Sequence, residues 1–245
     1  MTDASDKESS GTFLRISNLP SILTEGIVIV LSILLAFAID AYWDERKEQV
    51  SELRLIKQIE KELTLYQKLL NQADARMEAN FKHIDRLLEV IHGQTDIEPT
   101  EAEAAIAYIQ RRYLLADATA TFSSLISDES FGLLSDENLK NALSNIIAFI
   151  SLVNQFELEE TEFINNDYAP FIRQYIDRYS IKSDGIWLKD TSTSRFSSDL
   201  EPLFASREFS NLLVERKTKG MLVHMFREQI RKSINEALET LKVPE

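Results

Sequence analysis

The stretch EGIVIVLSILLAFAIDAYWDERKEQ, Glu25 to Gln49, decides the fold. An apolar run stops there at an aspartate, two aromatics and a burst of charge. Three environments accept such a run: a bilayer, a cleaved secretion signal or a soluble core. From Gly26 to Ile39 Ser32 is the only polar side chain, yet at 1.5 Å per residue this core covers only about 21 Å. A helix from Leu19 to Trp43 reaches about 37 Å. It sets Glu25 and Asp40 near the two interfaces and Tyr42 and Trp43 at headgroup depth. Ala36-Phe37-Ala38 imitates the small-x-small end of a signal h-region. The preceding segment is not basic, however, since Lys7 and Arg15 are outnumbered by Asp3, Asp6, Glu8 and Glu25. A retained transmembrane helix over 19–43, behind a flexible tail over 1–18, is the expectation.

Within that helix Ser32, Ala36 and Asp40 follow one another at spacings of four and share a face. Small residues so placed let two helix backbones approach closely, so this is the candidate packing face for self-association. A carboxylate at Asp40 is tolerable because its cost falls from the bilayer centre toward the interface. Arg46, Lys47, Arg54, Lys57 and Lys61 follow the span, whereas Lys7 and Arg15 precede it. Counted by the positive-inside rule, that puts the following domain in the cytoplasm.

Beyond the span the 245-residue chain reads as all-α, with only six Gly and five Pro to break helices. Ile56, Leu63, Leu70, Met77, Ile84 and Ile91 recur every seventh residue, and Ile59, Tyr66, Ala73, Asn80 and Leu87 form the companion series. Ile56, Ile59, Leu63, Tyr66, Leu70, Met77, Ile84 and Leu87 are therefore the expected coiled-coil seam of a helix over 44–92. His92-Gly93 ends it. Pro99 opens a second helix over 99–127, with Ile106, Ile109, Tyr113 and Leu114 as its stripe. Ser135 or Asp136 caps a third over 136–179, with Leu139, Leu143, Ile146, Ile150 and Val153 inward and a kink at Pro170. Residues 181–202 read as a loop around Trp187, which Tyr179 and Ile186 help to pin.

A fourth helix over 206–242 turns Leu212, Val223, Phe226, Ile230, Ile234 and Leu241 inward. It turns Arg216, Lys217, Lys219, Arg227, Arg231 and Lys232 mostly outward. Four long helices with short connections predict an elongated antiparallel four-helix, coiled-coil-like bundle over 44–245, continuous with the anchor.

The chemistry-bearing patterns are few. Cysteine is absent, which excludes disulfides and thiolate metal sites. A net charge of -13 disfavours nucleic acid, whose phosphates demand a basic surface. Glu89-x-x-His92 has di-iron spacing, but no second such pair accompanies it. ELEETE, Glu157 to Glu162, lacks the glycine and alternating oxygen ligands of a calcium loop and reads as a solvated acidic face. No phosphate-binding loop, nucleophile elbow or zinc-protease signature occurs in the sequence. The expectation is thus no catalytic residue, no cofactor and no metal.

Residues 27–46, IVIVLSILLAFAIDAYWDER, together with TATFSSLISDESFGLLSDENLKNAL over 119–143 and REFSNLLVERK over 207–217, resemble an uncharacterised family of bacterial single-pass membrane proteins, catalogued as a domain of unknown function. A Ser-Gly pair is usual in that family where Asp128-Glu129 stands here, which argues against a left-handed turn at this point. A basic amino-terminal tail is also usual there and implies a periplasmic helical domain, whereas here the tail is acidic. The resemblance implies a bacterial inner-membrane location and tips the sidedness from cytoplasm to periplasm. It implies no activity.

The expected function is a membrane-anchored scaffold or interaction protein without catalysis of its own. It would form a homo-oligomer, and its partners would be the lipid bilayer and a membrane or envelope protein still to be identified. The alternative is a single-span sensory or ligand-binding bundle acting through a partner subunit.

Overall fold

The computed structural model of the chain describes residues 19–112, 114–115, 128–177 and 195–242. These are helical or irregular, with no strand among them. The chain divides into two compact units at Glu52. The expected tail over 1–18, residues 116–127, and the loop aromatics Tyr179 and Trp187 with Ile186 lie outside the described residues.

Helix α1 is unbroken from Leu19 to Ile91. It has no internal proline beyond its first turn, and its only glycine is Gly26. Its end is a Schellman motif: Gly93 takes φ 68°, its amide donates to Val90 O at 3.0 Å, and the Gln94 amide donates to Glu89 O at 2.9 Å. Only glycine adopts that backbone without strain, so Gly93 ends the helix where the sequence placed the stop.

Helix α2, Pro99–Ile109, runs back along the end of α1 and buries Ala102, Ala105, Ile106 and Ile109. It was expected to continue to 127, but it stops at Ile109. The cause is side chains from elsewhere. Asn80 Nδ2 on α1 donates to Tyr108 O and Ile109 O, each at 3.4 Å, and Arg216 donates to Ile109 O and Arg111 O, each at 3.3 Å. Terminal carbonyls that find partners this way have no need of a further turn. Leu114 is consequently exposed and Leu115 takes the buried place.

A short helix, α3 (Asp128–Leu133), stands where none was expected, and it begins at the Asp-Glu pair rather than with a left-handed turn. Asp136 then caps α4, Glu137–Phe163, accepting from Asn138 N at 2.7 Å and Leu139 N at 3.1 Å. The kink expected at Pro170 is a π-helical turn over Ile164–Tyr168, in which the Ala169 amide reaches Ile164 O. Widening the turn accommodates a ring that would clash with the carbonyl four residues earlier. The chain stays helical only through α5, Ala169–Ile172, rather than to 179. The loop over 181–202 is likewise shorter at its far end, because α6 occupies Leu200–Phe204. Finally α7, Arg207–Thr240, opens on the Ser206 hydroxyl, which accepts from Phe209 N at 3.3 Å.

The expected seam is the buried face of α1. Ile59, Leu63, Tyr66, Leu70, Met77, Ile84 and Leu87 are buried, and Ile56 is half-buried beside a buried Leu55. Around Ile59 to Met77 the surrounding side chains come from α4 and α7, and around Ile84 and Leu87 from α2, residues 163–176 and α7, so the seam is occupied intramolecularly. Contacts of α1 with α7 run Gln67–Asn235, Asn71–Arg231, Asp74–Arg227 and Asp85–Lys217, falling along one helix as they rise along the other. These two helices are antiparallel. At Gly220 the fit is tight: an added Cβ would lie 2.8 Å from Phe81 Cε1 and 3.2 Å from Cζ.

We expect Gly220→Leu to cost about 1–3 kcal/mol through overpacking against Phe81. Gly132→Ala, with nothing within 4 Å of its Cβ, should stay within about 0.5 kcal/mol of wild type. Thermal midpoints of the two variants in detergent check both.

Candidate functional site

Two features lie outside ordinary core packing: the apolar face of the first unit and a layer of buried charge in the second. In the first unit every side chain from Thr24 to Val50 is exposed, and an 18-residue window reaches a mean hydropathy of 2.2 with none of it buried by the chain. Ile27, Leu31, Leu34, Leu35 and Phe37 are each more than half exposed. This is one helix long and apolar enough to cross a membrane. None of that window is buried among the described residues. Glu25, Ser32, Ala36, Asp40, Tyr42 and Trp43 all sit on it, exposed, where the sequence placed them. Ser32 Oγ donates to Val28 O at 2.7 Å, so its hydroxyl proton is satisfied inside the helix. Tyr42 and Trp43 meet edge to face with centroids 6.3 Å apart.

In the second unit the apolar core is divided. One cluster gathers Leu55 to Met77 of α1 with Leu139 to Val153 of α4 and Val223 to Ala237 of α7. The other gathers Ile84 and Leu87 with α2, Phe163 to Ile176, and Phe209 to Leu213. Among these apolar residues are the buried polar and charged groups Asp74, Asn80, Glu157, Glu160, Arg216 and Arg227. Arg227 is wholly enclosed and pairs with Asp74 Oδ1 at 3.3 Å and Glu157 Oε1 at 2.7 Å. Glu157 Oε2 accepts the Leu115 amide at 3.1 Å, so both of its oxygens are used. Arg216 pairs with Glu160 while its other nitrogens close the end of α2. Arg231 bridges Asp74 and Glu228 at the edge of this layer.

The sequence reading had both arginines outward and the glutamates solvated. The structure corrects this: Arg216, Arg227, Glu157 and Glu160 are core residues. A signal for it exists in the spacing. Leu143, Ile150, Glu157 and Ile164 form a seven-residue series, as do Leu139, Ile146, Val153 and Glu160. On α7, Leu213, Gly220, Arg227 and Ile234 form one series and Phe209, Arg216, Val223 and Ile230 another. Each charged group occupies a core step of a heptad that is otherwise apolar.

Burial governs the titration here. It pushes the Glu157 carboxyl above its ordinary 4.5, against the opposing pull of Arg227, and it raises the Tyr66 and Tyr168 phenols well above their usual range. The buried groups of the layer are held in ion pairs and hydrogen bonds that join α1, α4 and α7, and part-exposed His224, Arg231 and Glu228 lie at its edge. Glu89, paired with Arg86 at 3.8 Å, and His92 are both exposed. No known protein family, no curated protein and no solved structure matches the chain.

Arg227→Met should destabilise the fold by about 3–5 kcal/mol, since it strands buried carboxylate charge, and adding Glu157→Gln should restore part of the loss. Because the folded state raises the Glu157 pKa, it binds the extra proton between 4.5 and the raised value, and this contribution to stability falls as pH climbs through that window. The difference in thermal midpoint between wild type and Glu157→Gln should therefore decline as pH rises from 4.5.

Proposed function

We propose that the chain is a single-pass membrane-anchored helical scaffold, with residues 19–43 in a bilayer and the helices beyond forming an interaction domain. The observation that carries this reading is the complete exposure of Thr24 to Val50 on a helix of that hydropathy. In water an apolar face of this extent would associate or aggregate, whereas in hydrocarbon its exposure costs nothing. Tyr42 and Trp43, with the charged run from Asp44 to Glu48, suit the boundary where lipid gives way to water.

For the second unit we infer an antiparallel, coiled-coil-like bundle in which α1, α4 and α7 are the long members and α2 a shorter fourth. The α1–α7 pairings support it. So do Phe156 stacked on Phe226 at 5.1 Å and Glu160 against Arg216, which run α4 opposite to α7. With the α1 seam filled by the chain's own helices, self-association falls to the anchor face Ser32, Ala36 and Asp40. We place the protein in a bacterial inner membrane, with the helical domain on the periplasmic side and an envelope protein as its partner. We propose no catalytic role for it.

The chain should sediment with membranes and resist alkaline extraction. Leu34→Arg, a charge near mid-span worth about 2.5–3.5 kcal/mol against insertion, should lower the extracted-resistant fraction. Alkaline phosphatase and green fluorescent protein fused in turn to the C-terminus fix the side: periplasmic placement gives an active phosphatase and a dark fluorophore. A wild-type chain found in the aqueous fraction without detergent overturns the anchor.

A further inference from the structure

At the outer edge of the charged layer three metal-ligating side chains converge from two helices. His224 and Glu228 stand one turn apart on α7, and Asp74 reaches them from α1. One donor atom from each lies within 4.8 Å of the others. His224 Nδ1 is 3.6 Å from Asp74 Oδ1, and Nε2 is 3.9 Å from Glu228 Oε1. Only one ring nitrogen can bind a given ion, and Nδ1 is the one beside Asp74 at 3.6 Å. Donors bound to a tetrahedral ion at about 2.0–2.2 Å sit about 3.3–3.6 Å from each other, so Glu228 completes the set by rotating its side chain within the 4.8 Å cluster. The Asp74 carboxylate is 6% exposed, against 32% for His224 and 48% for Glu228, which leaves one open side for entry and for a water ligand.

One further observation points to a ligand at this place: the His224 Nδ1 atom is buried and has no hydrogen-bond partner among the described residues. The carboxylates are at present held by guanidinium groups, Arg231 donating to Asp74 Oδ2 and Glu228 Oε1 and Arg227 to Asp74 Oδ1, so Arg231 is the group a metal must displace. We propose that Asp74, His224 and Glu228 form a divalent transition-metal site in which the metal takes over from the Arg231 guanidinium as the bridge between α1 and α7. An imidazole with two carboxylates suits Zn²⁺, Co²⁺ or Mn²⁺ rather than Ca²⁺, which prefers an all-oxygen shell. Arg231 is part exposed and can swing outward, while Arg227 keeps its pairing with Glu157. In both states a positive group spans the same two helices. The metal makes that span shorter and ties His224 into it.

The test is calorimetric titration of the full chain in detergent micelles, tag-free and stripped with chelator, with ZnCl₂ alone, and in parallel the visible spectrum on adding CoCl₂. The expected result is one saturable Zn²⁺ site per chain and the intense bands of tetrahedral Co²⁺. His224→Gln, at a part-exposed position, should weaken Zn²⁺ by about tenfold or more, a change of about 1.4 kcal/mol. Arg231→Met should tighten it by about tenfold because the competing cation is gone; if this variant fails to fold, Arg231→Gln replaces it. Absence of saturable binding, binding undiminished in His224→Gln, or no gain on removing Arg231 each overturns the proposal.

Discussion

The second unit depends on a guanidinium that has no water. Arg227 is enclosed on every side, and the carboxylates of Asp74 and Glu157 reach it from two different helices. Desolvating three charges costs several kcal/mol each, so the layer contributes little net stability compared with an apolar filling of the same shape. Its value is positional. A leucine seam tolerates a helix sliding by a turn, since one apolar contact replaces another, whereas a slip here would strand a buried ion. Arg216 applies the same constraint one layer on, fixing Glu160 of α4 and the last carbonyls of α2 together. The three helices that meet at this layer have one register in which all charges are matched.

α1 changes its surroundings along its length without changing its conformation. From Thr24 to Val50 its side chains are exposed; from Leu55 onward a heptad stripe is buried, against α4 and α7 at first and against α2, the segment after α4 and α7 at Ile84 and Leu87. The backbone hydrogen bonds of a helix are internal, so the same secondary structure persists whether its side chains are exposed or packed against other helices. What differs is the pattern: apolar all round in the first case, apolar on one stripe in the second.

That contrast explains what the sequence made legible. Periodicity located the buried stripe of α1 almost residue for residue, because one helix packed along its length against others must repeat every three and four residues. Chain punctuation located the end of α1 at Gly93 and narrowed the α4 cap to Ser135 or Asp136, because caps are local chemistry. The second helix was overextended, since its end is set by Asn80 and Arg216, one on α1 and the other more than a hundred residues away on α7. The charged layer was misread for a related reason. A residue-type rule that sends Arg and Glu to the surface overrode a heptad that placed them inside. Asp74 gives no such clue, lying beside the α1 series rather than in it, and only its distant partners explain its burial.

Acids and bases of the layer are also separated in chain order. Asp74, Glu157 and Glu160 precede α7, and both buried arginines belong to α7. As the polypeptide leaves the ribosome, the carboxylates therefore emerge long before their counter-ions, and until then they remain hydrated and hold the nascent core apart. Closure waits for the final helix, so a product truncated before Arg207 presents open acidic surfaces to chaperones and proteases instead of a sealed domain.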